Sequence, residues 1–370
     1  MRSKLKWIFT LAAVLAFLIL GSMIPDDGIN ARSMAVGMGF DVTDEGEFVV
    51  SAQILTSAEG TRVIKTQSEY IADSFTKLSE ISGKLITVTH CNVILIGKKL
   101  LNKENFIYLL YTMLKNSYIS DNAYILVTED SAFDVLSSKT GFGENASLYL
   151  QKLIAKYGCI NNISFRTISQ CVVGQCAKGQ IIWLPCVKKV EIDPLVPSSN
   201  GPSSDSGKKD TVYDITSLTV FKDGVLKAEY DEEVTKAVNY LLTEVQRGSE
   251  NFKLSEAEIC LYVLGSEIKK KFEKDGLKAE YELELDVSVK SLKSLSGDYP
   301  QTLTLTEKQN EECAEKLAKR IEKAFEETSR AGLDVFIIEQ SMYSKFGSKL
   351  QNFDIKNVDF QVKVKLNEQK

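Results

Sequence analysis

A strict alternation of apolar and polar residues near the end of the chain most constrains the fold. From Leu277 to Val289, every second residue is apolar and the residues between them are charged or polar. Because successive side chains of a strand point to opposite faces, this period predicts a strand with one buried face. Residues 358–366 repeat the pattern. The first stretch exposes mainly acids and the second exposes lysines, so we expect the two strands to be neighbours.

Helices are predicted around these strands. Thr306 and Gln309 have the spacing of a capping box, at the start of an amphipathic helix that runs to about Arg330 and ends at Gly332. Its i,i+4 pairs of acid and lysine add support. The apolar stripe on this helix is typical of a face that packs on a core.

A hairpin and a further helix are predicted directly after residue 215. The Asp223-Gly224 dipeptide favours a tight turn between strands in residues 216–230. Asp231 has the position of an N-cap, and the apolar period then predicts a helix through Val245 that ends at Gly248. The second half of the chain is therefore expected to be an α+β domain.

The first half mixes strands and helices. Apolar, β-branched runs predict strands at 34–42, 47–55, 85–97 and 123–128. Three- and four-residue periods predict helices at 70–81, 104–115 and 146–156. We expect an α/β or α+β arrangement in which helices cover a sheet, and an α+β fold for the chain as a whole, in two or three domains.

The N-terminus carries a membrane-type signal. Residues 7–24 contain no charged residue, follow Arg2, Lys4 and Lys6, and precede Asp26 and Asp27. A helix of this length reaches roughly 27 Å, close to the thickness of the hydrocarbon core. The charge order places the start in the cytoplasm and the rest outside. Residues 1–25 are therefore predicted to be a signal-anchor, with a cleaved signal peptide as the alternative.

Residues 194–212 divide the exported part. They concentrate proline, serine and glycine and are too poor in apolar side chains to form a core. We predict N-terminal α/β domains over 26–193, a linker over 194–212 and a C-terminal α+β domain over 213–370.

Several kinds of chemistry lack the residues that they need. The chain has one histidine, His90, which excludes a multi-histidine metal centre and leaves any Ser-His-Asp arrangement dependent on that residue. His90 is predicted to be a strand residue near the rim of a sheet. The net charge of −5 argues against a nucleic-acid partner. Gly37-x-Gly39 lacks the third glycine of a dinucleotide site. No catalytic, cofactor or metal site is predicted.

The seven cysteines are predicted to be mainly buried or incidental thiols. Cys171, Cys176 and Cys186 form the one cluster with any resemblance to a metal site, and their spacing differs from that of zinc knuckles. A disulfide within this cluster is the other alternative. Cys91 and Cys260 lie in apolar stretches and are predicted to be core residues.

Four segments, in this order, resemble the Ger(x)C family, the C subunits of spore nutrient-germinant receptors. They are MAVGMGFDV with the following FVVSAQILT, then THCNVILIGKKL, then SLTVFKDGVLKAEYDEEVTKAVNYL, and finally the segment from AGLDVFIIEQ to the terminal strand. Together they cover about Met34 to Leu366. Members usually carry a lipobox cysteine, whereas this chain has Leu20-Gly21-Ser22-Met23 and no cysteine there.

The resemblance implies a subunit without enzymatic activity on the outer face of the inner spore membrane. It would act in germination beside membrane-embedded A- and B-type receptor subunits, and the apolar N-terminal segment would supply the attachment. An extracytoplasmic solute-binding or envelope scaffold protein is the alternative. The sequence does not identify the nutrient or the contact surface.

Overall fold

The computed structural model describes residues 14–17, 32–56, 60–116, 119–140, 145–157, 165–193, 210–243, 245, 247–295, 303–350 and 352–369. The predicted signal-anchor therefore lies mostly outside the described residues, as does most of the predicted linker. None of the helices in the described ranges is long and apolar enough to cross a membrane. The domain boundaries stay a prediction.

The larger of two sheets dominates the described part of the chain. Its strands are β1 (Arg32–Val42), β2 (Phe48–Thr56), β3 (Gly60–Ser68), β4 (Leu85–Thr87), β5 (Val93–Gly97), β6 (Tyr124–Thr128), β7 (Arg166–Thr167), β8 (Ile181–Ile192), β9 (Asp210–Lys222) and β10 (Val225–Tyr230). The main order is β10-β9-β8-β6-β5-β1-β2-β3, and β4 and β7 pair with β1 and β6. The centre, from β1 through β5 and β6 to β8, is parallel, and both flanks are antiparallel.

Helices cover both faces of this sheet. They are α1 (Ile71–Ser82), α2 (Lys98–Lys103), α3 (Phe106–Asn116), α4 (Ala132–Ser137), α5 (Ala146–Tyr157) and α6 (Ile168–Cys176). One core lies under α1, α2, α3 and α6, and another lies under α4 and α5. Helices on both faces explain why the central strands are apolar without alternation: every residue of β5 is buried. The helix-covered sheet predicted for the first half is confirmed.

The second sheet has the order β11-β12-β13-β14, with β11 (Gly248–Lys253), β12 (Ala257–Glu273), β13 (Lys278–Ser294) and β14 (Asp359–Glu368). The alternating segment at 277–289 forms most of β13, and its apolar residues from Ala279 to Val289 are buried. The predicted neighbourhood is also confirmed, because β13 pairs in parallel with β14. Glu282 lies opposite Lys363 and Glu284 opposite Lys365.

Three helices complete the described second half: α7 (Glu232–Leu242), α8 (Glu307–Arg330) and α9 (Ile338–Phe346). The predicted capping box is present at the start of α8, where Thr306 Oγ1 accepts from Gln309 N. Asp231 caps α7 as predicted, accepting from the backbone N–H groups of Glu233 and Val234. Helix α8 packs its buried face on the second sheet, so it covers one face and leaves the charged face to solvent.

Three local predictions are wrong. The run 85–97 forms two strands, β4 and β5, and His90 lies exposed in the turn between them. Helix α7 ends at Leu242, because the chain turns there to enter β11 at Gly248. Cys260 is half-buried on β12, on the side opposite the core, since its neighbours Ile259 and Leu261 fill the inward positions.

A shared core joins the two sheets. Ile181, Trp183, Leu218 and Val220 of the larger sheet pack in one cluster with the second sheet and its helices. Strand β9 begins at Asp210, within the predicted linker, and both β9 and β10 belong to the larger sheet. The two halves therefore meet along an apolar junction.

Candidate functional site

Two glycines of the first family-like segment let helices approach β1 closely. A Cβ placed on Gly37 would lie 2.8 Å from Ser147 Cβ on α5, and Ser147 Oγ would be closer still. A Cβ placed on Gly39 would lie 2.9 Å from Ala132 Cβ on α4. These glycines therefore allow α4 and α5 to pack directly against β1.

Asp41, which ends the same segment, caps α4. Its carboxylate accepts from Ala132 N at 2.9 Å, Phe133 N at 3.1 Å and Ser131 Oγ at 3.1 Å. Burial raises the pKa of Asp41, although these three donors oppose the rise. Gly97 provides the room for this carboxylate, because a Cβ there would overlap Asp41 Oδ1.

These contacts fill the place where a parallel sheet commonly binds a ligand. Strands β1, β5 and β6 end side by side, and ligands of open α/β sheets bind beyond such carboxyl ends. Here the Asp41 carboxylate occupies the helix N-terminus that would otherwise attract an anion. The first two family-like segments thus form this edge of the sheet, and the Asp41 side chain fills the space beyond it.

The last family-like segment lies at the junction between the sheets. Asp334 is buried and caps α9, accepting from Ile338 N at 2.9 Å and from Glu339 N at 2.7 Å. Burial raises the pKa of Asp334 to about 6 against the effect of these N–H groups. Between the cap and the helix, Ile337 has a left-handed backbone with φ of 50°. A β-branched residue rarely adopts this conformation, so the surrounding contacts hold it there.

Two lysines beside the larger sheet contact this segment. Lys222 Nζ donates to Gly332 O at 2.9 Å, and Lys178 lies over the ring of Tyr343 at 4.9 Å. Phe336 anchors the segment from beneath, fully buried among Phe325 and Phe360. The order of aspartate, apolar residue and phenylalanine in this segment is therefore explained by a helix cap and a core anchor.

The remaining predicted positions do not converge. Cys171 and Cys176 lie on α6 and Cys186 on β8, all as free thiols. Among the described residues, no group of three His, Cys, Asp or Glu side chains could hold a metal ion. Cys91 is buried as predicted, and burial raises its pKa to about 12.

Two features of the surface were not predicted. Beside the start of β1, Arg32, Arg62 and Lys84 border a hollow whose wall includes the exposed side chains of Leu55 and Ile81. We call this the Arg32 surface. The second is a cavity between α6 and α9 that contains Arg166 and Trp183. Neither could be predicted from the sequence. The residues that line each of them come from distant segments, and these residues include both polar and apolar types.

The comparisons with known proteins agree with the order of the segments. Residues 27–189 match the family model described as spore germination protein N-terminal domain. Residues 216–368 match the model described as spore germination B3/GerAC like, C-terminal. None of the curated proteins matches.

A solved structure shares the fold. The chain is similar to the protein in the "Crystal Structure of the GerBC protein", with a TM-score of 0.51 and 14% identity, over 90% of this chain and 97% of that one. At this identity the similarity concerns the fold alone. The two family matches together span most of the sequence, and the chain therefore belongs to the Ger(x)C family of spore germinant-receptor C subunits.

Proposed function

We propose that this protein is a non-enzymatic, extracytoplasmic subunit of a nutrient-germinant receptor, which acts in spore germination through contacts with membrane-embedded A- and B-type subunits. The matching of both family models in order along the chain carries the proposal. The roles of the residues in the family-like segments support the proposal. Asp41 and Asp334 cap helices, and Gly37 allows α5 to pack against β1. Structural roles of this kind are what we expect of a subunit that acts through contacts.

We also propose that the apolar segment 7–24 attaches the protein to the outer face of the inner spore membrane. Seven residues, 25–31, separate that segment from Arg32. Since an extended chain spans at most about 3.6 Å per residue, Arg32 would lie within roughly 29 Å of the membrane. If the Arg32 surface faces the membrane, each arginine or lysine within about 10 Å of anionic headgroups would contribute about 1 kcal/mol of attraction.

Deletion of the gene tests the receptor role. Purified spores of the deletion strain are expected to lose the response to at least one nutrient, measured as the fall in optical density after nutrient addition. Reintroduction of the wild-type gene should restore it, and germination by a non-nutrient trigger should stay normal in both strains. An unchanged response to every nutrient, in a strain without paralogues, would contradict the proposal.

Membrane fractionation tests the attachment separately. The full-length chain is expected in the membrane fraction, and protease added to intact protoplasts should digest it from the outside. The control replaces two residues of the apolar segment, Leu15→Lys and Phe17→Lys, because charges at the centre of a span oppose insertion. A wild-type protein that is soluble and begins near Arg32 would show that the segment is removed.

A further inference from the structure

A cavity of about 250 Å³ lies between α6 and α9, with β8 as its floor. Its walls combine apolar side chains, including Val173, Ile182 and Ile337, with the polar side chains of Gln170 and Gln340. The volume is slightly below the range of roughly 300–1,000 Å³ that is typical of pockets for drug-sized ligands. It therefore suits a smaller molecule. No acidic residue lines the cavity within the described part of the chain.

One guanidinium lies in this cavity. The Arg166 side chain stacks over the indole of Trp183, with 3.9 Å between the guanidinium carbon and the ring centroid. Trp183 is itself buried, with 2% of its surface exposed. The planar ring fixes the orientation of the guanidinium and leaves its edge, which carries the N–H donors, available.

The charge of Arg166 has no counter-ion among the described residues. None of the ion pairs or hydrogen bonds of the described chain involves its guanidinium, and burial lowers its pKa. The titratable group that acts on it is the thiol of Cys171, whose own pKa is raised to about 12 by burial. That thiol is neutral near pH 7 and supplies no negative charge. A partly desolvated cation without a counter-ion is costly, and an anionic ligand would remove this cost.

One residue of the cavity wall has a strained backbone. Ile337 lines the cavity and holds the left-handed backbone described above, at the end of the segment capped by Asp334. Strained residues that persist in folded proteins concentrate at ligand sites, because the surrounding structure fixes them in place. This observation is independent of the charge on Arg166 and concerns the same cavity.

We propose that this cavity binds a small carboxylate with an apolar body. The carboxylate would pair with the edge of the Arg166 guanidinium, whose planar fork matches two carboxylate oxygens. The apolar body would lie against Val173, Ile182 and Ile337. A carboxylate fits better than a phosphate, because a doubly charged group calls for more than one cation and the other lining side chains are neutral or apolar.

Binding is measured with the full-length protein in detergent micelles. The probes are acetate, butyrate, isovalerate and benzoate, followed by the fluorescence of Trp183 in a Trp7→Phe background, where it is the sole tryptophan. We expect saturable binding of isovalerate or benzoate. Isovaleramide, the neutral analogue, should bind at least roughly tenfold more weakly, since a hydrogen bond to a charged group contributes about 1.5–3 kcal/mol.

Substitutions of Arg166 test whether the ligand binds in this cavity. Arg166→Met should weaken the binding at least roughly tenfold, and Arg166→Lys, which keeps the charge without the fork, should give an intermediate affinity. Arg330→Met, at an exposed arginine of α8, is the matched control and should bind like wild type. Circular dichroism of each variant checks the fold, and titration calorimetry repeats the binding without the tryptophan.

Three results would overturn the proposal. The first is no saturation by any of the four carboxylates in either assay, and the second is equal binding of isovalerate and isovaleramide. The third is wild-type affinity in a folded Arg166→Met variant. Tighter binding of inorganic phosphate than of any carboxylate would also reject the ligand class that we propose.

Discussion

Replacement of Arg320 by methionine is expected to lower the free energy of unfolding by about 3–5 kcal/mol, because it removes a cation that pairs with a buried carboxylate. Glu250 on β11 is 2% exposed, and its carboxylate lies 2.6 Å from Arg320 Nη2 on α8. Tyr240 of α7 donates to the same carboxylate at 3.0 Å. One charge pair thus connects α7, α8 and the second sheet. The loss is measured by urea denaturation followed by circular dichroism.

The control uses another arginine of the same helix. Arg330 pairs with Glu326 at 3.0 Å, but both side chains are largely exposed, so Arg330→Met should change stability by at most about 1 kcal/mol. The double variant Glu250→Gln with Arg320→Met removes both charges and should be more stable than Arg320→Met alone. Equal losses in the two single arginine variants would show that the Glu250 pair is not buried in solution.

Substitution of Gly37 by alanine is expected to cost about 1–3 kcal/mol, because the added methyl group has no room between β1 and α5. The added Cβ would overlap the side chain of one residue, Ser147. The hydroxyl of Ser147 is buried and has no hydrogen-bond partner among the described residues. Ser147→Gly removes the two atoms that would lie nearer than 3.0 Å and leaves Leu136 Cδ2 at 3.3 Å. The double variant Gly37→Ala with Ser147→Gly should therefore regain most of the lost stability.

Gly265 is the matched control for this substitution. It lies in β12, has open space where a Cβ would be placed and does not have a positive φ. Gly265→Ala should therefore leave the urea midpoint within the small range of surface substitutions, about 0.5 kcal/mol. A Gly37→Ala variant as stable as Gly265→Ala would mean that α5 does not pack on β1 as described.

Regular patterns predicted part of the second half of the fold, although strands β11 and β12 were not predicted. The alternation at 277–289, the capping box at Thr306 and the Asp223-Gly224 turn depend on neighbours within a few residues, so they are visible in the sequence. The charge of the two outer faces also predicted which strands pair. The long helix and its apolar stripe followed from the same local rules.

Features set by distant contacts were not predicted. Strand β3 and helices α2, α4 and α6 are short or weakly periodic, and their form depends on the sheet against which they pack. The apolar run 85–97 contains a turn at His90 that no glycine or proline marks. The cap on α4 joins Asp41 to residue 132, and such a pair cannot be read from one sequence. The Arg166 cavity combines β7, α6, β8 and α9 for the same reason.

The pairing of β8 with β9 has a practical consequence for residues 190–215, which lie between the two family matches and are called the seam here. Ile192 and Asp210 face each other in this pair, so the two ends of the segment between them lie side by side. Its length can change without altering the distance between the halves. A break in that segment would leave two fragments joined by a strand pair and a common apolar core. The seam is therefore a suitable place for an epitope tag or a split reporter, whereas it is a poor place to divide the protein for separate expression.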